Sequence, residues 1–150
     1  MAIRNVVQVG DEILRKKSKV VREFDEKLWT LLDDMKETMI KNDGCGLAAV
    51  QVGVLKRVVV IEVNHMYIEL VNPVILNSSG ETFEKEGCLS CKGQVGYVRR
   101  PKEVTVQAFD RYGYEVVITG KDLLAKAFCH EIDHLDGVLF IDKVEKVKRW

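Results

Sequence analysis

The chain has 150 residues, of which 47% are hydrophobic and 31% are charged. This balance is typical of a globular protein that buries a core of its own, and it excludes a disordered or fibrous chain. Its 23 basic and 23 acidic residues give a formal net charge of zero, so no overall field favours DNA or an anionic membrane.

The sequence carries no sign of export or membrane insertion. Residues 1–5 lack the basic start and long apolar core of a signal peptide, and no apolar run approaches the ~20 residues that span a bilayer. The four cysteines are therefore expected to be thiols or metal ligands rather than disulfides. Without repeats or linkers, residues 1–150 are expected to form one cytoplasmic domain.

The first predicted elements are a helix and two strands. Apolar residues at helical spacing predict a helix that Asp25 caps and that ends near Lys41. The glycine-rich segment 44–53, GCGLAAVQVG, follows, and by itself it indicates a tightly packed connection from helix to strand. Residues 57–63 then predict a buried strand, and residues 69–76 predict extended structure.

A hairpin and a second helix complete the predicted elements. Residues 103–109 alternate apolar and polar side chains, and residues 115–119 can return beside them after a turn. A helix is predicted from Asp122 to Asp136, and it is so apolar that we expect most of it to be buried. Gly137 is placed to end this helix with a left-handed residue.

The second helix contains the pentapeptide HEIDH, residues 130–134. His130 and His134 are four apart, so a metal can bridge them from one face of the helix. Glu131 can reach the open side of that metal without being a ligand. This set suits metal-activated water that attacks a polarised carbonyl, although the same pattern also occurs by chance in solvated helices.

A catalytic metal site of this kind needs a third protein ligand and an open position. The position that holds a further histidine in one group of HExxH proteases is Phe140 here, and Glu145 is the only glutamate downstream. The best upstream candidate is Cys88 in EGCLS, because a thiolate beside two imidazoles suits zinc or iron(II). We expect a strand to carry Cys88 and to close the site, whereas the alternative is a buried structural cysteine.

A closed structural zinc site is a rival arrangement. Cys88 and Cys91 form a CxxC pair, which together with His130 and His134 would offer zinc four ligands. The two pairs are separated by far more chain than in compact zinc fingers. A closed site would also give the HEIDH glutamate no chemical role. Cys129 should point away from the two histidines on the helix.

In chain order, GCGLAAVQVG, EGCLS and HEIDHLDG resemble the three signature segments of the peptide deformylases, GxGLAAxQ, EGCLS and HExDHLxG. The resemblance spans residues 44–137, and three motifs in the right order are far more specific than HExxH alone. The chain departs from the family pattern at Val50, where proline is common, and at Cys91 and Lys92, where an apolar residue and proline are common. These departures concern the walls of the substrate cleft.

The resemblance implies an α+β fold, with antiparallel β-sheets packed around a central, buried α-helix that bears HExxH and with a further N-terminal helix. It implies an enzyme that removes the formyl group from N-formylmethionyl peptides and releases formate. Cys88, His130 and His134 are the implied ligands of one divalent metal ion, normally Fe²⁺, for which Zn²⁺, Ni²⁺ or Co²⁺ can substitute.

Further roles follow from the same resemblance. Glu131 is expected to take a proton from water and deliver it to the leaving amine. The Gln51 amide and the Leu89 backbone N–H are expected to meet the developing oxyanion. Gly46 is expected to present backbone groups to the substrate.

The resemblance also suggests partners. A monomer is expected that binds neither DNA nor a membrane, and its basic end, residues 143–150, is a candidate contact with the ribosome near the exit tunnel. Two other classes stay open at this point. One is a metalloprotease of broader specificity that cleaves internal peptide bonds, and the other is the structural zinc protein.

Overall fold

The computed structural model describes residues 2–145. This part of the chain has a mixed α+β fold with two α-helices and two antiparallel sheets, which confirms the expected fold class. Helix α1 spans Glu26–Lys41 and helix α2 spans Leu123–Leu135. Within the described residues, no helix combines the length and the apolar character that crossing a membrane requires.

Eight strands form the two sheets. The larger sheet has the order β1-β2-β3-β6-β7, the smaller has the order β4-β5-β8, and every ladder within them is antiparallel. The strands are β1 (Gly46–Ala48), β2 (Val58–Val63), β3 (Met66–Ser79), β4 (Thr82–Glu86), β5 (Gly96–Arg100), β6 (Glu103–Phe109), β7 (Glu115–Lys121) and β8 (Val144–Glu145). Short 3₁₀ turns cover Glu12–Arg15, Ala49–Val52 and Phe140–Asp142.

Helix α1 forms where the sequence predicts it. The Asp25 carboxylate accepts the N–H of Leu28 at 3.2 Å, which satisfies one of the free donors of the first turn. Its apolar stripe, including the fully buried Met35, lies in one cluster with Val58 and other residues of the larger sheet. The helix ends as Gly44 donates its N–H to the Met39 carbonyl at 3.0 Å, and the chain then enters β1.

Helix α2 is largely buried, as its composition predicts. Nine of its 13 residues are buried, and it packs against β1, β2, β6 and β7 of the larger sheet and also contacts β5. Gly137 follows with φ +76°, in a place where a Cβ would collide with the Arg15 carbonyl. The Ser18 N–H and the Arg57 guanidinium donate to the Leu135 carbonyl at 2.8 and 3.1 Å. These bonds anchor the end of the helix.

The structure differs from the sequence prediction in two places near the pocket. The glycine-rich segment is more than a connection, because it contributes the edge strand β1 and a 3₁₀ turn. Cys88 does not lie on a strand. Strand β4 ends at Glu86, and a turn follows in which the Cys91 N–H donates to the Cys88 carbonyl at 3.0 Å. The β4 sequence TFEKE has a single apolar side chain, so it lacks the pattern that reveals a strand.

Candidate metal centre

The fold brings three ligand atoms together. One ligand atom from each of Cys88, His130 and His134 lies within 4.8 Å of the others, and Cys88 Sγ is 3.4 Å from His134 Nε2. A tetrahedral ion with bonds of about 2.3 Å to sulfur and about 2.0 Å to nitrogen holds two such atoms roughly 3.5 Å apart. Across residues 2–145, no other group of three Cys, His, Asp or Glu residues converges in this way.

Two elements supply these ligand atoms. His130 and His134 project from α2, and Cys88 comes from the connection between β4 and β5. His134 is fully buried, and in the described part of the chain its Nδ1 has no hydrogen-bond partner. Burial, helped by the positive charges of His130 and Arg100, lowers the pKa of His134 well below its usual value. The neutral imidazole is the form that binds a metal.

Glu86 orients the ring of His130. Its Oε1 lies 2.9 Å from His130 Nδ1, and Arg100 donates to both carboxylate oxygens at 2.9 and 3.0 Å. Burial acts to raise the pKa of Glu86, but the hydrogen bonds from His130 and Arg100 outweigh it and lower the pKa to about 2. The ionised carboxylate accepts the Nδ1 proton of His130, which leaves Nε2 as the ring nitrogen that faces Cys88 and His134.

The supporting network extends to a second carboxylate and is the part that the sequence did not reveal. Arg100 is buried, and it also donates to Asp133 at 2.7 Å. Asp133 in turn lies 3.1 Å from Lys143 Nζ. Glu86 is the first residue of the EGCLS segment, and this position was the one feature of the sequence that could have indicated its role in the network. No local sequence pattern indicates the role of Arg100, because the carboxylates that it contacts are distant in sequence.

Glu131 lies beside the ligand atoms. Its Oε2 is 4.0 Å from His130 Nε2, and its buried Oε1 has no hydrogen-bond partner within residues 2–145. Burial raises the pKa of Glu131 to about 7, against the lowering effect of His130. A buried carboxylate oxygen without a partner lowers stability, which points to a role in chemistry.

Gly46 makes room for this carboxylate. A Cβ at Gly46 would lie 2.5 Å from Glu131 Oε2, so a larger residue would displace the side chain or the strand. Gly46 is in β1, an edge strand of the larger sheet. Its position therefore couples the sheet edge to the orientation of Glu131.

Gln51 and Leu89 lie on the side of Cys88. The Ala48 N–H donates to Gln51 Oε1 at 2.9 Å, which turns the Gln51 amide nitrogen toward Ser90 Oγ at 3.1 Å and Cys88 Sγ at 3.5 Å. The Leu89 carbonyl accepts from Gln8 at 2.9 Å, whereas its N–H makes no hydrogen bond in the described part of the chain. Ser90 is a second contact that sequence reasoning did not single out.

A cavity of about 350 Å³ opens onto this group. Its walls come from the segment after α1, from the segment after β4 and from α2. Leu123 and Ala127 extend the wall along α2 away from His130 and Glu131. The ligand atoms thus lie at one end of a pocket with an apolar side.

The remaining CxxC cysteine stands apart from the three ligands. Cys91 is 1% exposed and is not part of the convergent group, and neither is the buried Cys129. Burial, followed by the neighbouring Cys88, raises the pKa of the Cys91 thiol to about 11. The geometry therefore favours three protein ligands over the closed arrangement of four.

An HExxH helix, a nearby cysteine sulfur and a pocket-lining carboxylate oxygen without a hydrogen-bond partner in residues 2–145 define a metal-dependent hydrolase. Comparison of the chain with known proteins identifies the family of hydrolases to which it belongs. The polypeptide deformylase family model matches residues 3–150. The chain belongs to the peptide deformylase family, the enzymes that remove the N-terminal formyl group from nascent polypeptides. This confirms the expected family and activity.

Individual peptide deformylases are similar to this protein along nearly the whole chain. A peptide deformylase of Thermoanaerobacter pseudethanolicus is 58% identical over 143 residues, which are 95% of this chain and 90% of the relative. That of Acetivibrio thermocellus is 58% identical over 144 residues, 96% of this chain and 85% of the relative. The crystal structure of the Thermotoga maritima peptide deformylase superposes with a TM-score of 0.95 at 36% identity, covering 97% of this chain and 100% of that one.

Proposed function

We propose that the convergent group is the catalytic centre for deformylation and that residues 1–150 form a single catalytic domain. Cys88, His130 and His134 hold one divalent metal ion, and Glu131 carries the proton. The observation that supports this most strongly is the buried Oε1 of Glu131, which has no partner in residues 2–145 and lies beside three convergent ligand atoms.

The donor set fits a late first-row metal. One sulfur and two imidazole nitrogens suit Fe²⁺, Zn²⁺, Ni²⁺ or Co²⁺ and are poor ligands for Mg²⁺ or Ca²⁺. Three protein ligands leave a position for water or substrate. When bound, the ion polarises the formyl carbonyl and makes water a better nucleophile. We propose Fe²⁺ as the resident ion, with the other three as substitutes.

Glu131 performs the proton transfer. Burial of Glu131 favours the neutral acid, whereas positive charge beside it favours the carboxylate, so the side chain can alternate between the two forms. It accepts a proton from the attacking water and donates it to the amine nitrogen as the formyl C–N bond breaks. Gly46 keeps the carboxylate in position because it carries no side chain.

Two donors meet the oxyanion that develops on the formyl oxygen. The Gln51 amide nitrogen is held near Cys88 by the bond between Ala48 N–H and Gln51 Oε1. The Leu89 N–H is the second donor, and no acceptor competes for it in residues 2–145. Fixed donors of this kind stabilise the transition state more than the ground state.

The substrate is an N-formylmethionyl peptide. Leu123 and Ala127 supply an apolar wall for the methionine side chain, and the Gly46 backbone at the sheet edge can pair with the peptide. Since such peptides arise on bacterial ribosomes, we propose that the enzyme acts as a cytoplasmic monomer close to the exit tunnel. The basic residues 146–150, which belong to the expected ribosome contact, lie outside the described residues.

Metal analysis of anaerobically purified protein tests the identity of the ion. We expect iron to accompany formate release from formyl-Met-Ala-Ser, chelation to abolish it, and Fe²⁺, Ni²⁺ or Co²⁺ to restore it. Air should inactivate the iron form while the zinc form survives with slower turnover, because zinc has no accessible redox change. Equal decay of both forms would contradict iron-centred oxidation, and full activity after metal removal would contradict the proposed centre.

A further inference from the structure

Cys88 and Cys91 are joined by a closed turn. The Cys91 N–H donates to the Cys88 carbonyl at 3.0 Å, and the first and last Cα atoms of such a turn are less than about 7 Å apart. Disulfides join residues whose Cα atoms are about 4.4–6.8 Å apart. Both residues are free thiols in the structure, so the backbone holds two unlinked cysteines within reach of a disulfide.

The deformylation mechanism uses only one of these sulfurs. Cys91 is outside the convergent ligand group and lies in the apolar cluster against which the partly buried Cys88 packs. Cys91 is therefore a second sulfur, held close to Cys88 by the turn and by the shared apolar cluster.

The other two cysteines are placed differently. Cys45 is exposed on the pocket wall, across from the turn that contains Cys88. Cys129 is buried on α2, and the charged groups around it include Arg100 and Asp133. No backbone turn ties either of them to Cys88, so both serve as natural comparisons for Cys91.

We propose that Cys91 is a resolving thiol for Cys88, which makes the Cys88–Cys91 pair a site of reversible disulfide modification by hydroperoxides. In the first step the Cys88 thiolate attacks the terminal oxygen of the peroxide and the O–O bond breaks, so that hydroxide leaves from hydrogen peroxide and an alkoxide leaves from an organic hydroperoxide. The Cys88 sulfur loses two electrons and becomes a sulfenic acid. In the second step the Cys91 sulfur bonds to the Cys88 sulfur, the S–O bond breaks, and the oxygen leaves as water with the thiol and sulfenic protons.

The consequence is protection of a metal ligand. The disulfide removes Cys88 from the metal, but a dithiol returns the two electrons and regenerates both thiols. A Cys88 sulfenic acid without a resolving partner is oxidised further to the sulfinic and sulfonic acids, which thiols do not reduce. Formation of the disulfide requires only the sulfur chemistry of the turn, whereas its effect on zinc rests on the proposed ligand role of Cys88.

The test uses the zinc-loaded full chain, because zinc itself is not oxidised. The protein is treated with hydrogen peroxide and then with dithiothreitol, while intact mass, released zinc and renewed zinc binding are measured. We expect the wild type to lose two hydrogen atoms, to release zinc and to regain its zinc binding after reduction. Cys91→Ser should instead gain two or three oxygen atoms at Cys88 and recover less than about a tenth of its zinc binding.

Cys45→Ser and Cys129→Ser are the controls, and both should behave as the wild type does. Peptide mapping locates the bond within the peptide that holds both residues 88 and 91, and it needs only the wild type if Cys91→Ser does not fold. Irreversible oxygenation of Cys88 in the wild type, or a bond from Cys88 to Cys45, would overturn the proposal. Deformylation by the untreated protein is measured separately, so failure of the proposed function would be visible on its own.

Discussion

Glu86 Oε1 and His130 Nδ1 lie 2.9 Å apart, and this contact links the end of β4 to the ligand-bearing helix α2. Cys88 follows Glu86 by two residues, so one short segment carries both the proposed sulfur ligand and the carboxylate that holds the His130 ring. Arg100 on β5 holds the other side of that carboxylate. We therefore expect the relative placement of the proposed ligands to depend on one buried acidic residue.

Glu86→Gln should weaken zinc binding by about 10–100-fold, because loss of the carboxylate partner of a ligand imidazole has effects of that size. It should also lower the free energy of unfolding, since the buried Arg100 would lose one of its two carboxylate partners and keep only Asp133. Chelator competition measures the first effect and denaturant unfolding the second. Glu84→Gln, an exposed change on the same strand, is the control. Unaltered zinc affinity in Glu86→Gln would refute the orienting role.

Glu131→Gln should retain the metal and lower kcat by about 10²–10⁴-fold, because it removes the proton carrier and leaves all three ligands. Metal content and steady-state formate release on the same sample check both parts. Loss of the metal, or turnover near that of the wild type, would contradict the assignment of Glu131 as the proton carrier.

Gly46→Ala should lower kcat by roughly 10²-fold with the metal retained, because the new Cβ would meet Glu131 Oε2 and shift the carboxylate. Gly87→Ala is a matched change on the same pocket, where a Cβ would come no closer than 3.7 Å to a neighbouring atom. Gly87→Ala should lower kcat much less than Gly46→Ala does. If the two variants were equally active, close packing against Glu131 could not be the reason for a glycine at position 46.

Cys88→Ala and Cys91→Ser should separate the three-ligand site from the closed zinc site. Cys88→Ala should lose metal and activity together, since two imidazoles bind a divalent ion weakly. Cys91→Ser should keep the metal content and turnover of the wild type when no oxidant is present. A collapse of metal affinity in Cys91→Ser would mean that Cys91 is a fourth ligand.

The sequence predicted the parts of the fold that have a regular pattern. The predictions of helix α1 and of the β6–β7 hairpin were correct, because apolar residues recur about every 3.6 residues in the helix and every second residue in the strands. Strand β4 was missed because the glutamates and lysine of TFEKE are polar, although Glu86 is buried. Its burial depends on Arg100 and His130, which are remote in sequence.

The candidate site was predictable for the residues that lie within motifs. His130, Glu131 and His134 form a local pattern, and Cys88 was predicted from the need of such a metal site for a third ligand, a prediction with which the convergence of the three side chains agrees. The hydrogen bonds of Glu86 with Arg100 and of Gln51 with Ser90 were not predictable, because each joins segments that only the fold brings together. The motifs contain the proposed reacting groups, whereas the contacts that orient those groups are visible only in the three-dimensional structure.

The most direct test of the central claim is the set of products formed from formyl-Met-Ala-Ser, its acetyl analogue and a longer formylated peptide. Mass spectrometry of the peptides and enzymatic detection of formate identify every bond that is cleaved, with Glu131→Gln as the matched inactive protein. A peptide deformylase should release formate from both formylated peptides, leave their internal bonds intact and leave the acetyl group in place. Cleavage of internal peptide bonds would indicate a broader metalloprotease, and absence of formate from the metal-loaded enzyme would contradict the account.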